Sequence, residues 1–482
     1  MKTKNCRIIA ALSLLLAFMF VFAACAQTTP DATTGTATGE VTEAPTASDI
    51  VIAEKGKTSD FSLVYNPFGN KSDEAKEIAK KIADAYKEKL GVELPLKADT
   101  EAASGNEIIF NSTTREDCKA LVNSLEGGEY AIKTVKNDNG ATILVAYKGQ
   151  LAIDAAINYL TGIINETDGK AVIGADIDIR ESTITLHKDK EQNVIDVYLI
   201  GGQSNAAGCS RRQNQNSTFN NIMFTGEVDK QRLTDHATLS FIGRYKKYVR
   251  VGYGISADHF GPEYGIAEVF NDYYGNGRPA LIFKSAAGGT ALHNDMSGLS
   301  DTYGNWYPRS MWGDKKVDPN VSPMGVQYNN FVENFRTTYN KLVADGYTPK
   351  VRGMAWMQGE ADLGREANYE KLLKALITDL RADLYEITGD EDVKEMPFVI
   401  GKIATTFAVY NNASVPAFNV MQDRVAKTMK NVYTIKTADL VIVAKDGSIV
   451  GTDKYHFNGN DAETLGIRFG EKLLDFYKVK NK

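Results

Sequence analysis

From residue 192 onward, apolar runs of strand length alternate with amphipathic stretches of helix length. The run VIDVYLIGG at 194–202 is almost entirely apolar, which is typical of a strand buried on both faces. Further strands are predicted at 279–289, 351–360, 397–404 and 431–437, and helices at 261–275, 328–347, 368–389, 418–430 and 458–479. Repeated strand–helix units restrict the fold to the α/β class, with a parallel sheet between two helix layers.

Residues 59–188 predict a separate, smaller α+β domain in front of this one. Helices at 72–91 and 149–165 flank short strands, and the turn NDNG at 137–140 joins a predicted hairpin. The element order resembles the non-catalytic N-terminal domain of some glycoside hydrolases. An unrelated packing domain is the alternative, and we predict no role for 59–188.

The first 24 residues predict a signal peptide, because a basic start precedes a long apolar run that ends in small residues. The junction FAAC resembles a bacterial lipobox, which implies lipidation of Cys25. A plain secretory signal or an uncleaved helix is the alternative. Residues 25–58 are rich in Thr and lack apolar periodicity, so we expect a lipid-anchored linker at the extracellular face of a bacterial membrane.

Polar residues follow the strands of the larger predicted domain. They are Gln203, Ser204 and Asn205; Gly288 to Thr290; Gln358 and Glu360; and, in the last loop, Asp453 and His456. Ligands of such sheets bind at the carboxyl ends of the strands, so we expect these groups to converge. Together they would supply a hydroxyl, backbone amides, an amide side chain and a carboxylate–imidazole pair, which are the parts of an acyl-transfer site.

Each of these elements also has a structural interpretation. Ser204 could be a helix N-cap, and the Gly288 turn could be only a tight bend. Asp453 and His456 could cap the last helix, and His293 competes with His456 as the base. The insertions 209–260 and 290–325 should cover the site. Trp306 in the second insertion could stack on a sugar or be part of the loop core.

The blocks GGQSNAAG, FGPE, AAGGTAL, WMQGEADLG and DKYHFN resemble, in this order, those of the SGNH hydrolase superfamily. More narrowly they resemble its branch of sialate O-acetylesterases and carbohydrate esterase family six, which includes acetylxylan esterases. The similarity covers residues 192–482 and implies a flavodoxin-like three-layer α/β domain. Met357 and Ala361 depart from the pattern, since His and Ser are frequent at these positions.

The resemblance also implies roles for individual residues. It makes Ser204 the nucleophile, His456 the base and Asp453 the residue that orients it. The oxyanion hole would combine the amides of Ser204 and Gly288, or Gly289 instead, with the side chain of Gln358. Asn205, Glu360 and Trp306 would lie behind the site or bind substrate, and no cofactor or metal is implied.

The expected substrate is an acetylated carbohydrate, either a xylan-like polysaccharide or O-acetyl sialic acid. A carbohydrate-binding lipoprotein without catalysis is the alternative from another class, and a lipid-directed esterase is a second enzyme alternative. The net charge of −6 disfavours nucleic acid as a partner, because phosphate binding needs a basic surface. The membrane is expected to interact only with the lipid anchor.

Overall fold

The computed structural model describes residues 49–67, 72–111, 114–137, 140–184, 193–228, 247–275, 277–294, 303–313, 324–406, 414–444 and 446–478. The predicted signal peptide, Cys25 and most of the predicted linker lie outside the described residues, as does the 185–192 connector. Within the described ranges, no helix is both long and apolar enough to cross a bilayer.

The N-terminal domain contains two sheets and a small set of helices. Its strands are β1 Ile50–Glu54, β2 Ser62–Tyr65, β3 Leu96–Ala98, β4 Glu107–Phe110, β5 Glu129–Asn137, β6 Gly140–Tyr147, β7 Ile164–Asn165, β8 Lys170–Ile173 and β9 Asp178–Ser182. Its helices are α1 Ser72–Leu90, α2 Glu116–Ser124 and α3 Gln150–Gly162. The predicted hairpin is present as the antiparallel pair β5–β6.

The main sheet of this domain has the strand order β3-β2-β4-β6-β5-β9, and β3, β2, β4 and β6 are parallel. Adjacent residues of β2 point to opposite faces. Leu63 packs in the core with α1 and α3, whereas Val64 packs in a smaller cluster with Cys118 of α2. The result is the small α+β layer expected from the sequence.

The predicted linker boundary at residue 58 is wrong. Strand β1 pairs with β8 in a three-stranded sheet, and Ile52 and Ala53 belong to the core of the N-terminal domain. The sequence IVIAE has the burial pattern of a short strand, but a partner that lies more than a hundred residues later gives no local signal. Ordered structure therefore begins before residue 59.

The second domain carries the larger sheet. Its strands are β10 Val194–Gly202, β11 Ser210–Arg211, β12 Phe219–Val228, β13 Lys247–Val249, β14 His259–Phe260, β15 Ala280–Ala286, β16 Thr348–Met357, β17 Phe398–Gly401 and β18 Val432–Ile435. Its helices are α4 Ser204–Ala207, α5 Glu263–Tyr274, α6 Val326–Ala344, α7 Glu366–Thr388, α8 Ser414–Thr428 and α9 Gly459–Asp475.

The seven strands have the order β13-β12-β15-β10-β16-β17-β18, and all of them except β13 are parallel. Helices α5 and α9 cover one face, and α6, α7 and α8 lie on the other. All nine residues of the central strand β10 are buried. The predicted three-layer α/β fold with a mostly parallel sheet is confirmed.

Part of the insertion 209–260 belongs to the main sheet. Its strand β12 joins the main sheet beside β15, which the sequence analysis did not predict. The strand FNNIMFTGEV is interrupted by Asn220, Asn221 and Gly226, so it lacks the continuous apolar run of the other strands. Its inward residues Ile222 and Phe224 are buried nonetheless.

Candidate active site

Ser204 lies directly after the central strand. Helix α4 begins at Ser204 and Gln203 occupies the N-cap position, so Ser204 is not the N-cap. Gly202 has φ 137°, and a Cβ there would meet the Met357 carbonyl oxygen at 2.0 Å, so only glycine fits this strand exit. Ser204 is partly exposed while the three residues after it are buried, and no hydrogen bond to its hydroxyl occurs within the described ranges.

Asp453 and His456 form a pair in the loop before α9. The imidazole Nδ1 lies 2.9 Å from Asp453 Oδ2, and Asp453 Oδ1 accepts hydrogen bonds from the amides of Tyr455 and His456. Burial would raise the pKa of Asp453, but these hydrogen bonds outweigh it and the pKa lies below its ordinary value. The cap of α9 is Asn458, whose side chain accepts from Asp461 N, so the pair is not a helix cap.

Two sets of contacts connect the polar blocks at the end of the sheet where Ser204 lies. The amide of Arg211, which follows α4, donates to Thr452 Oγ1 at 2.8 Å. On the other side, Asn205 Nδ2 donates to Glu360 Oε1 at 2.9 Å. The first and third polar blocks are therefore joined directly, and the loop of the last block contacts the segment that follows Ser204.

Gln358 lies in the middle of a buried hydrogen-bond network. Its Nε2 donates to Asp362 Oδ2 at 2.7 Å, to the Thr290 carbonyl at 3.1 Å and to Gln203 Oε1 at 3.2 Å. Its Oε1 accepts from the Tyr369 hydroxyl at 2.8 Å. The side-chain amide of Gln358 is thus directed at protein acceptors and connects the first, second and third polar blocks. Its predicted role in an oxyanion hole stays a prediction.

Asp362 is a residue of this network that the sequence analysis did not single out. Its carboxyl accepts from the amides of Leu292 and His293, at 2.8 and 3.1 Å, and from Gln358. Burial raises the pKa of Asp362, while these hydrogen bonds act in the opposite direction. Asp362 therefore ties the Gly288–His293 loop to the Gln358 block. In the sequence, only the position of Asp362 two residues after Glu360, in QGEAD, could have indicated that it belongs to this network.

We expect Asp362→Asn to loosen this connection. An amide of the same shape puts an NH₂ group where donors now converge, so at least one buried donor loses its acceptor. The cost should be about 1–3 kcal/mol of unfolding free energy, measured by urea denaturation. Activity should fall mainly in kcat, because the Gly288 loop shifts. Asp60→Asn, at an exposed position, is the control, and equal stability of the two variants would contradict the prediction.

The structure does not support sugar stacking by Trp306. Its side chain is 0% exposed and packs edge-on against Trp356, with ring centroids 4.9 Å apart. Its Nε1 donates to Thr290 Oγ1, so it supports the Gly288–Thr290 turn from behind. Asn205 of the first polar block and Glu360 of the third are 3% and 5% exposed, so both lie below the protein surface. Burial raises the pKa of Glu360.

Within the part of the chain that the structure describes, no group of three or more His, Cys, Asp or Glu side chains is arranged to hold a metal ion. The two described cysteines, Cys118 and Cys209, are both buried.

Several solved structures are similar to this chain, with low sequence identity. NanS is 15% identical, with 59% of this chain and 98% of NanS covered and a TM-score of 0.40. A protein of Arabidopsis thaliana is 14% identical, covering 58% and 98%, with a TM-score of 0.38. A carbohydrate acetylesterase from Xanthomonas citri is 13% identical, covering 72% and 68%, with a TM-score of 0.36.

No curated protein sequence matches the chain significantly. A family model does, and it is described as a carbohydrate esterase, sialic acid-specific acetylesterase. The match extends over residues 194–475, from the first residue of β10 to the last residue of α9. It includes all four polar blocks at the carboxyl ends of the strands and confirms the resemblance found in the sequence. The chain therefore belongs to the carbohydrate esterase family of sialic acid-specific acetylesterases.

Proposed function

We propose that the second domain removes acetyl groups from acetylated carbohydrate through a serine acyl-enzyme. Family membership makes it a carbohydrate esterase, and the serine mechanism is our inference from the geometry. The observation that carries it is the 2.9 Å contact between Asp453 and His456 Nδ1, next to the loop that follows Ser204. The contact leaves the imidazole Nε2 available as a base.

In the proposed first step, Ser204 Oγ attacks the acetyl carbonyl carbon and His456 Nε2 takes the hydroxyl proton. Asp453 holds the imidazole and stabilises the imidazolium that forms. The tetrahedral intermediate then expels the sugar oxygen, which receives the proton from His456. In the second step, water attacks the acetyl-enzyme with the same base, and acetate and free Ser204 are released.

The developing oxyanion would be stabilised by the backbone amides of Ser204 and Gly288. Such preorganised donors typically lower the barrier by about 3–4 kcal/mol each. Gln358 would join them only if its Nε2 turned one hydrogen away from its present protein acceptors. An amide NH₂ has two hydrogens, and Asp362, the shortest contact at 2.7 Å, holds one of them. The second hydrogen, shared between Thr290 O and Gln203 Oε1, is the one to redirect.

We propose a xylan-like polysaccharide as the first substrate and O-acetyl sialic acid as the second. The family description supports an acetylated carbohydrate and names sialic acid, whereas xylan is placed first because of the predicted lipidation at Cys25. A lipoprotein at the extracellular face of the membrane would meet such glycans outside the cell. The predicted anchor and linker would leave the enzyme free to reach them.

The test is acetate release from acetylated xylan and from O-acetylated sialic acid by the full chain. Release from either substrate, with faster turnover of xylan, is the expected result. Release from sialic acid alone would correct the substrate. Binding of both glycans with no acetate from either would favour the catalytically silent carbohydrate-binding protein and reject the esterase proposal.

A further inference from the structure

A cavity of about 510 Å³ lies between the N-terminal domain and helices α5 and α9 of the esterase domain. This volume falls within the range of about 300–1,000 Å³ that small-molecule sites span. The residues that line the cavity are distant from Ser204 in the sequence, and none of them belongs to the proposed catalytic machinery.

The position of the cavity in the N-terminal domain follows from the strand order. After β2 the chain passes through α1 to β3 on one side, whereas after β4 it passes through α2 to the β5–β6 hairpin on the opposite side. The helices that follow these two strands lie on opposite faces, α1 with α3 and α2 alone. Loops that separate in this way open a crevice at the carboxyl ends of the strands, which is where α/β domains bind ligands.

The residues that line the cavity match this crevice. Asn66 follows β2, Asn111 follows β4 and Lys148 follows β6, and all three line it. Asn111 has φ 41°, and its side chain bonds the backbone of Tyr147, which holds the ends of β4 and β6 together. The cavity thus begins at the point where the strand connections diverge.

Loose packing between the domains does not account for the cavity, since they meet closely beside it. A Cβ at Gly127 would lie 2.0 Å from the carbonyl oxygens of Asp272 and Tyr273, and Gly128 lies against the Tyr273 ring. Thr183 Oγ1 donates a hydrogen bond to Gly128 O. The next residue, Ile184, packs in the core of the esterase domain. The cavity is therefore bordered on one side by close contacts between the two domains.

The lining favours an uncharged ligand with many hydroxyl groups. Glu268, Asp272 and Glu471 line the esterase side, and their carboxylate oxygens are acceptors for hydroxyl groups. Lys148, the one cation among the described residues of the lining, donates its Nζ to Leu125 O, so the three carboxylates disfavour an anion. The opposite side includes the start of α3, where the N-cap Gly149 has no side chain to accept from the first amides of the helix. Ile78 and Ile153 supply apolar surface for C–H groups.

We propose that this interdomain cavity binds a neutral mono- or disaccharide unit, and so is a second carbohydrate site distinct from the catalytic one. The inference does not depend on the serine mechanism. A sugar bound there would contact both domains at once. The N-terminal domain would then act as a carbohydrate-binding module that the esterase domain completes.

Calorimetric titration of the full chain with D-xylose, xylobiose and N-acetylglucosamine tests the proposal, with N-acetylneuraminic acid as the anionic probe. We expect binding of at least one neutral sugar and none of the anion. Ala75→Trp, which places an indole in the cavity from α1, should remove the binding heat. Glu77→Trp, on the exposed side of the same helix, should leave it unchanged.

Glu471→Leu provides a second variant that removes an acceptor without adding bulk, in case Ala75→Trp disturbs folding. It should weaken sugar binding while the turnover of 4-nitrophenyl acetate stays at the wild-type rate. Sugar binding that persists in both cavity variants would place it elsewhere and overturn the proposal. Failure of every neutral sugar to bind at millimolar concentration would overturn it as well, whatever the esterase activity.

Discussion

Ser204→Ala is expected to abolish acetate release while the fold remains intact. The serine is partly exposed and its hydroxyl makes no hydrogen bond within the described residues, so its loss leaves no buried group unpaired. The loss in kcat should be about four to six orders of magnitude, because the acyl-enzyme cannot form. Acetate release from acetylated xylan, followed by an enzyme-coupled acetate assay, measures it, and thermal unfolding confirms the fold.

His456→Ala should have nearly the same effect, and the double variant should be no worse than either single one. When catalytic residues act in the same step, removing either one stops that step, so the losses in kcat do not add. Asp453→Asn should cost less than either, since the base remains and only its orientation and charge partner change. Activity of Ser204→Ala comparable to wild type would reject the site, and His293→Ala would then be the next variant to assay.

The sequence predicted the fold of the second domain well because its main signal is local. Nine buried residues from Val194 to Gly202 require a strand with both faces covered, and β15 and β17 repeat this pattern. Parallel strands bring their carboxyl ends together, so polar residues such as Asn205 and Glu360 had to converge although 155 positions separate them. Periodicity and topology were sufficient for this conclusion.

Side-chain direction was not predictable in the same way. Trp306 stands in a polar insertion, where an aromatic could face either solvent or core, and only its packing against Trp356 decides. Gln358 directs its amide at Asp362 because that carboxyl is also fixed by Leu292 and His293. Contacts of this kind join segments that are far apart, and no spacing within one segment reveals them.

Lys284→Met is expected to be the most destabilising single substitution near the site. Lys284 is a wholly buried cation in the strand β15, beside the central strand. Its Nζ lies 2.8 Å from Glu263 Oε2 and donates to the carbonyls of Ala207 and Tyr253, at 2.9 and 2.7 Å. Ala207 is the last residue of the helix that begins at Ser204, so the ammonium group supports this helix from below.

Without Lys284, the buried carboxylate of Glu263 keeps, among the residues that the structure describes, only the hydrogen bond from Gly261 N. An uncompensated buried charge typically costs about 3–5 kcal/mol, so Tm should fall by roughly 6–20 °C for a domain of this size. The double variant Lys284→Met with Glu263→Met removes both charges and should recover most of this stability. Its activity should stay below wild type, because the Ala207 carbonyl still lacks its donor. A double variant as unstable as Lys284→Met would show that packing, and not the lone carboxylate, causes the loss.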